Sequence, residues 1–448
     1  MVSLKQRAGL VLENASDEIL LYDPRMHKAI RLNETAAAIW KLCDGTRTVK
    51  DLVNCFASEY PSTWSSIACD VQEATEALLG EGALVQADDV PIEYAAARAE
   101  LAARHIAAVQ RADGLFTYGY DFVRDCPLTE DNIVRQAGTA FALTDYLNRT
   151  RDRIFERVAK LALNALRTHS VAFNDGLVVS PTGKQEDGKT GATALAMLAE
   201  LNYFEATGST KFAETRGKWL KALRALQLPS GGFRRAPAAE DQSSYFNGET
   251  WLALAQFSRL FPGSEASGAL VKADAYFIDH YGSALDVQFF HWGMLATAKR
   301  YESTGDPRFL YFLTNSARNF LDNLRPEVLP DVNTCYLVEG LAAGARVLAS
   351  VKRDTHTDHL YRRILVRVRA ELAKSLDMQI MSGENRIAVG EERVVERPSI
   401  GSFAGAFLSG RYKARTRIDF TQHSLSALLE YIAIPGDADK RRPDISPG

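Results

Sequence analysis

Five side chains able to take up or release a proton stand at or near the heads of Ala/Leu-rich stretches in this sequence: Tyr245, Glu249, His291, Glu339 and His423. Phenol, carboxylate and imidazole are the groups that carry general acid–base chemistry. Glu249 falls in the first turn of an expected helix with Tyr245 one turn earlier, and Glu339 has a similar place beside Tyr336 and Gly340. A purely structural account competes with this one. An acid in a first turn gains about 0.3–1 kcal/mol from the helix dipole, a tyrosine packs, and a histidine settles into a hydrogen bond. Around these residues lie groups suited to binding. Arg135, Lys189, Arg234 and Arg417 supply positive charge, as do Arg235 and Arg411, and arginine grips carboxylate in a bidentate manner. Gln136, Asn247 and Gln422 either orient a substrate or cap helices, and Tyr336 and Asp419 complete the candidate binding set. Tyr118, Tyr120, Phe233, Trp292 and Phe403 suit a cavity wall or, equally, a core.

The elements that must position these residues are visible through repetition. A polar cluster runs directly into an Ala/Leu-rich helix six times, with helices expected over residues 139–147, 192–204, 250–260, 294–301, 341–349 and 424–432. Longer, more charged helices such as 151–167 and 211–226 alternate with them. Helices with few charges are buried on most sides, whereas helices with one charged face lie outside. Six inner and six outer helices close into an (α/α)6 toroid. Parallel inner helices would gather their N-terminal ends, and the candidate residues with them, at one rim. A second repeat, Thr207-Gly208-Ser209 and Thr304-Gly305-Asp306, ends one helix and opens the next. The stretch 381–410, rich in Gly, Ser and charge, reads as a loop or lid.

Composition bounds the function. The chain has 448 residues and a formal charge of −3 from 53 basic and 56 acidic residues, so no global field favours nucleic acid or an anionic membrane. No apolar run reaches the roughly 18 residues of a membrane span, and no signal-peptide core opens the chain; the expected location is the cytoplasm. Cys43, Cys55, Cys69, Cys126 and Cys335 include no CxxC pair and no close Cys/His set, which argues against a disulfide framework or a zinc site. No nucleotide, flavin or metal motif is present, and no cofactor or metal is expected.

The sequence changes character near residue 90, dividing into residues 1–90, a helical domain over 97–434, and a polar tail over 435–448. The first part is expected to form three short strands, 10–13, 19–22 and 28–32, and three helices, 35–42 capped by Asn33, 49–59, and 67–80. This order suggests a winged helix-turn-helix. The run Leu32-Asn33-Glu34-Thr35-Ala36 through Ile39-Trp40 to Asp44-Gly45, with the closing Leu78-Leu79-Gly80-Glu81-Gly82-Ala83-Leu84-Val85, resembles the PqqD-like family of RiPP precursor-peptide recognition elements. The resemblance implies that a leader peptide adds as a strand beside the third strand and against the third helix. Carried over, the contacts fall on Lys28, Ala29, Ile30, Arg31, Leu32, Ile67, Val71, Ala74 and Leu78, with Leu32 and Leu78 also expected in the core together with Ile39, Trp40, Leu52 and Leu84. DNA binding, a common use of a winged helix, is opposed by charge: residues 1–90 hold eight basic and fourteen acidic residues, the wrong sign for phosphate.

The helical domain resembles the α/α-toroid families, particularly proteins related to the C-terminal domain of D-glucuronyl C5-epimerases. The residues that carry this are Arg135-Gln136-Ala137-Gly138, Leu226-Gln227 to Gly231-Gly232-Phe233, Tyr245-Phe246-Asn247-Gly248-Glu249, and Arg417-Ile418-Asp419-Phe420-Thr421-Gln422-His423. The resemblance implies removal of a proton next to a carbonyl or carboxyl group and its return from the opposite face. The two resemblances together imply a leader-guided enzyme that epimerises or eliminates within a core peptide, with other maturation enzymes as further partners. The alternatives are a carbohydrate-active toroid with a recruiting domain, and a non-catalytic peptide escort.

Overall fold

The computed structural model describes residues 3–7, 10–15, 18–23, 28–59, 64–86, 90–283, 286–390 and 393–435; the tail beyond 435 lies outside them. Two compact units are present, Met1–Pro91 and Ile92–Gly448. The first runs β1 (Ser3–Gln6), β2 (Val11–Ala15), β3 (Glu18–Asp23), β4 (Lys28–Leu32), α1 (Glu34–Leu42), β5 (Asp44–Thr48), α2 (Val49–Glu59), α3 (Trp64–Gly80) and β6 (Leu84–Gln86). Asn33 caps α1, its side chain accepting from Ala36 N at 2.7 Å, which ties a first-turn donor that the helix itself leaves unpaired.

This unit is α+β, with two small sheets ordered β5-β1-β6 and β2-β3-β4. Leu32, Ile39, Trp40, Leu52, Leu78 and Leu84 are buried in one core, and the Trp40 indole donates to Ala83 O at 3.1 Å. Strands β1 and β5 were not expected. Their pairing joins Ser3 to Thr48 and Lys5 to Asp44, and the Asp44-Gly45 pair that signals a turn locally is held extended by that distant partner.

The second unit is built on helices. In chain order it holds α4 (Ile92–Ala108), β7 (Gly119–Asp121), β8 (Cys126–Pro127), α5 (Ile133–Thr150), α6 (Glu156–Thr168), β9 (Ser170–Phe173), β10 (Gly176–Val179), α7 (Thr190–Thr207) and α8 (Ala213–Leu226). There follow α9 (Ser244–Leu260), α10 (Ala266–Ser283), α11 (Val287–Thr304), α12 (Pro307–Asn319), α13 (Cys335–Ser350), α14 (Thr355–Leu376), β11 (Arg386–Val389), β12 (Arg393–Glu396), β13 (Leu408–Gly410), β14 (Lys413–Arg417) and α15 (Ile418–Ile432). Helices α5, α7, α9, α11, α13 and α15 each pack on the next, and α15 returns to α5, closing a ring. Outside it lie α4, α6, α8, α10, α12 and α14. The inner helices are buried almost throughout, α7 continuously from Thr190 to Tyr203. Gly208 and Gly305 explain the Thr-Gly repeat: both adopt φ near +70° (71° and 66°) just past an inner helix, ending α7 and α11 as left-handed caps.

The stretch 381–410 differs from the expected loop. It forms the β11–β12 hairpin and contributes Ile387, Ile400, Ala406 and Leu408 to a satellite core with Met378, Ile380, Phe122 and Ala414. Its apolar residues are too scattered among Gly, Ser and charge to show periodicity, yet they converge on one sheet, ordered β13-β14-β7-β8.

Candidate functional sites

Four inner helices use their fourth residue in the same way. Gln136 takes Phe116 N at 2.8 Å and donates back to Phe116 O, also at 2.8 Å. Thr193 accepts from Val179 N at 3.0 Å, Asn247 from Phe233 N at 3.0 Å, and Thr421 from Phe407 N at 3.1 Å. Each ties the loop that feeds its own helix, satisfying a buried backbone donor. Gln136 and Asn247, expected to orient substrate, therefore have their amides occupied by architecture; Asn247 also donates to Gln242 Oε1 at 2.9 Å. Arg234 likewise donates to Ala225 O at 3.1 Å, stopping α8 rather than joining a cluster. Lys189 stands half-buried immediately before α7.

Residues one or two places further along α13, α15 and α11 do converge. His423 Nδ1 lies 2.6 Å from Glu339 Oε1, with the Glu339 side chain 1% exposed. Burial pushes the Glu339 carboxyl up to about 7, against the pull of the His423 ring. For His423 burial acts downward and the Glu339 charge more than offsets it, so the imidazole titrates above its ordinary value. Both shifts run toward holding a proton between carboxylate and imidazole. His291 faces it, ring centres 5.5 Å apart, with Tyr336 at 5.7 Å and Tyr245 at 6.2 Å from His291. Both ring nitrogens of His291 are buried without a hydrogen-bond partner, and burial, with His423 acting the same way, drives its pKa well below the ordinary value. Its ring is neutral at pH 7. Gly340 makes this arrangement possible, since a Cβ there would come within 2.9 Å of the His291 backbone.

Two arginines meet one carboxylate beside the pair. Arg417 binds Asp419 through two bonds of 2.6 and 2.8 Å, and Arg135 Nε lies 3.0 Å from the same carboxylate while donating to the Tyr118 hydroxyl. Two cations on one anion leave positive charge over. Both Arg135 and Asp419 act electrostatically on His423, so a negatively charged group held here would sit next to the imidazole. Gln422 lies against Gly138 with its Oε1 buried and unpartnered.

Glu249 is placed differently. Its carboxylate, 4% exposed with Oε2 unpartnered, lies in the space left by Gly191 of α7, where a Cβ would come within 2.1 Å. Burial raises its pKa well above 4.5 and so favours the protonated form. The Tyr245 phenol is raised by burial first, then by Tyr336, Asp286 and Glu249, and lowered by Arg135. Tyr245 is thus the electrostatic neighbour of both Glu249 and Arg135, and its ring approaches His291 at 6.2 Å. Tyr120 and Phe403 pack with Phe122 in the satellite core, Phe233 is fully buried against Phe277, and Trp292 lies 6.3 Å from His423, ring to ring.

Sequence reading missed the ring's interior below Glu339. There Arg149 bonds Asp145 at 2.9 Å and also Glu430, while Arg346 reaches Glu430 at 3.0 Å. Lys299, with these groups and Glu339, lines a cavity of about 50 Å³, and burial lowers its pKa to about 8. The signal that could have found it is charge on the otherwise apolar second halves of inner helices. Also missed was the cluster of Thr334, Glu371, Lys374 and Arg367, in which Glu371 accepts at 2.6, 2.5 and 3.0 Å and Arg367 binds the carbonyls of Arg325, Pro326 and Glu327, fixing the approach to α13.

In the first unit β4 is an edge strand among the described residues, paired on one side to β3 from Lys28↔Asp23 to Leu32↔Ile19. Between β4 and α3 opens a groove of about 820 Å³ lined by Lys28, Ala29, Ile30, Arg31 and Leu32 on one wall and Asp70, Glu73, Ala74, Ala77 and Leu78 on the other. Lys28 closes one end on Glu81 at 2.5 Å. Val71 is 1% exposed and Ile67 packs on the core; unlike Ala74 and Leu78, which share their helix face, they are not among the groove's walls.

Residues 18–84 match the sequence model of the family described as coenzyme PQQ synthesis protein D (PqqD). No curated protein matches the chain in sequence. Among solved structures, the GH76A α-1,6-mannanase of Salegentibacter sp. HEL1_6 superposes with a TM-score of 0.57 at 10% identity, over 76% of this chain and 100% of that one. A sugar epimerase from a ruminal bacterium gives 0.52 at 10% identity over 75% and 98%, and the cellobiose 2-epimerase of Bacillus thermoamylovorans B4167 gives 0.50 at 11% over 72% and 95%. Among the described residues, no helix is long and apolar enough to cross a membrane. The chain thus joins a segment similar to PqqD to a unit with the α/α-toroid fold.

Proposed function

We propose that the chain is a cytoplasmic, leader-guided enzyme of RiPP biosynthesis, with a peptide-recognition domain over residues 1–90 shaped as a winged helix-turn-helix and a catalytic (α/α)6 toroid over 97–434. The free edge of β4 offers backbone hydrogen bonds to an extended leader, and the wall of α3 offers side-chain pockets, the two ingredients of strand addition. A leader held there raises the effective concentration of its core segment at the toroid without strong contacts of its own.

The observation that carries the chemistry is the buried Glu339–His423 pair beside the Arg135–Arg417 cluster. His423, oriented by Glu339, removes the proton from a carbon next to a carbonyl, and the electron pair moves to the carbonyl oxygen under the positive field of the arginines. Tyr245 or Tyr336 returns a proton from the opposite face, giving epimerisation, and regains its own from solvent. Where the neighbouring carbon bears a leaving group, the same carbanion expels it and elimination results. Toroid neighbours that are glycosidases and sugar epimerases support a second reading, a carbohydrate-active toroid, through the aromatic rings of Tyr245 and Tyr336. Co-expression with precursor peptides encoded nearby, in heavy water, separates these outcomes by mass: one deuteron gained signifies epimerisation, one water lost signifies elimination, and a change in a glycan alone removes the peptide reading.

A further inference from the structure

Strand β14 reads Lys413-Ala414-Arg415-Thr416-Arg417, cation alternating with small residue. Alternate side chains of a strand leave opposite faces, and burial follows that rule: Ala414 and Thr416 are buried while Lys413 and Arg415 are exposed and Arg417 half-exposed. Three cations therefore stand in a row on one face, neighbours about 6.6 Å apart by strand rise. With Arg124, Val123 and Phe420 they line an open groove of about 550 Å³. Asp121 is the carboxylate among the lining residues. It bonds Arg415 at 2.8 Å and accepts from the backbone N–H groups of Val123 and Arg124, 3.0 Å each, so its charge is already engaged. The row ends at Arg417, which also belongs to the cluster beside His423.

Ion pairing engages Arg415 with Asp121 and Arg417 with Asp419, but it does not account for Lys413 and Arg124 standing beside them. Strand β14 is paired on both edges, so the cations do not guard an open strand, and like charges on one face oppose each other. We propose that this groove receives an extended acidic stretch of polypeptide, carboxylates at alternate positions, and leads it to the Arg135–Arg417 cluster; the inference rests on the peptide-modifying reading. An extended chain presents same-side residues at the spacing of the row. Val123 and Val332, 53% and 38% exposed, offer apolar contact to the residues between. A single-stranded nucleic acid would call for several open aromatic stacking platforms, whereas the groove has two aromatics, Phe420 under the Arg417 guanidinium at 4.8 Å and the half-buried Tyr412.

The test is fluorescence anisotropy on the full chain with labelled alternating Glu-Val, Gln-Val and Lys-Val peptides. Glu-Val should bind in a salt-sensitive manner, and Arg124→Glu with Lys413→Glu should weaken it by about tenfold or more, one decade of affinity; the milder Lys413→Gln should act in the same direction. Neither residue is needed for the Arg415–Asp121 bond, and unchanged melting of each variant confirms the fold. Ala77→Trp, which fills the β4–α3 groove, should leave Glu-Val binding intact. Loss with Ala77→Trp but not with the charge variants overturns this proposal while keeping leader recognition. Equal binding of Gln-Val, no binding of Glu-Val, or tighter binding of a single-stranded oligonucleotide or a polyuronate also overturns it.

Discussion

His423 Nδ1 and Glu339 Oε1 meet at 2.6 Å inside the ring although 84 residues separate them in the chain. The contact engages one imidazole nitrogen and holds the ring's orientation. Glu339→Gln should lower the His423 pKa, because the charge that raises it is gone; histidine NMR titration of the full chain reads this directly. His423→Gln should cut peptide modification by about 10²–10⁴-fold, the usual worth of a general base, and the wild-type rate should rise with pH as His423 loses its proton.

Glu249 makes folding depend on pH. Its folded pKa stands well above the 4.5 of an ordinary glutamate, so the folded chain holds a proton that the unfolded chain has released. Stability from this group is full below about 4.5 and falls as pH rises from there through the folded pKa. Glu249→Gln should flatten that decline, and melting temperatures across the pH range check it. A variant with the wild-type slope would show that Glu249 is ionised in the folded protein.

Gly191→Ala should destabilise. An alanine inside a helix ordinarily gains roughly 0.5–1 kcal/mol over glycine, but here the new Cβ meets Glu249 and Phe246 at 2.1 and 2.3 Å, and overpacking costs about 1–3 kcal/mol. Denaturant unfolding should show a net loss, with Glu249→Ala in the same chain recovering part of it.

Glu430 should matter more than any surface acid. Burial opposes its charge, yet Arg149 and Arg346 pull its pKa down to about 2, so its contribution is present above 4.5 and is lost as pH falls toward 2. Glu430→Gln leaves two arginines short of a buried partner and should cost about 3–5 kcal/mol in chemical denaturation.

Ala77→Trp should block leader binding at the β4–α3 groove without loss of fold, since Ala77 is exposed on α3. Calorimetric titration with leader segments of neighbouring precursor peptides reads the effect; undiminished affinity would place the leader elsewhere.

The inner helices were readable from sequence because burial on all sides leaves Ala and Leu with few charges, and because each begins at a polar cluster. What each polar residue does was not. Gln136 and Gln422 are the same residue type near the same helix ends, yet one is spent on Phe116 and the other faces Gly138 with a free oxygen. Local spacing cannot separate them, since the loop that decides arrives from outside the helix. The Glu339–His423 contact and the charges below it depend on ring closure, and the strand pair Ser3↔Thr48 on a partner more than forty residues away. Only groups whose neighbours lie within a turn of helix announce their roles in advance.

The ties made by Gln136, Thr193, Asn247 and Thr421 have an evolutionary consequence. Each anchors its loop to its own helix at one residue, and further bonds, such as those from Thr190 of α7 to the carbonyls of Arg234 and Arg235, join a loop to the neighbouring repeat; the stretches between these bonds are what the ring leaves free to vary. Insertions there would alter what the rim recognises without shifting the helices that hold the imidazoles. Helices α11 and α13 carry Phe290 and Val338 at the corresponding fourth position, apolar residues locked in the core, and they bear His291 and Glu339. Such a ring can acquire new substrates by exchanging one rim segment at a time while inheriting its proton-handling centre unchanged.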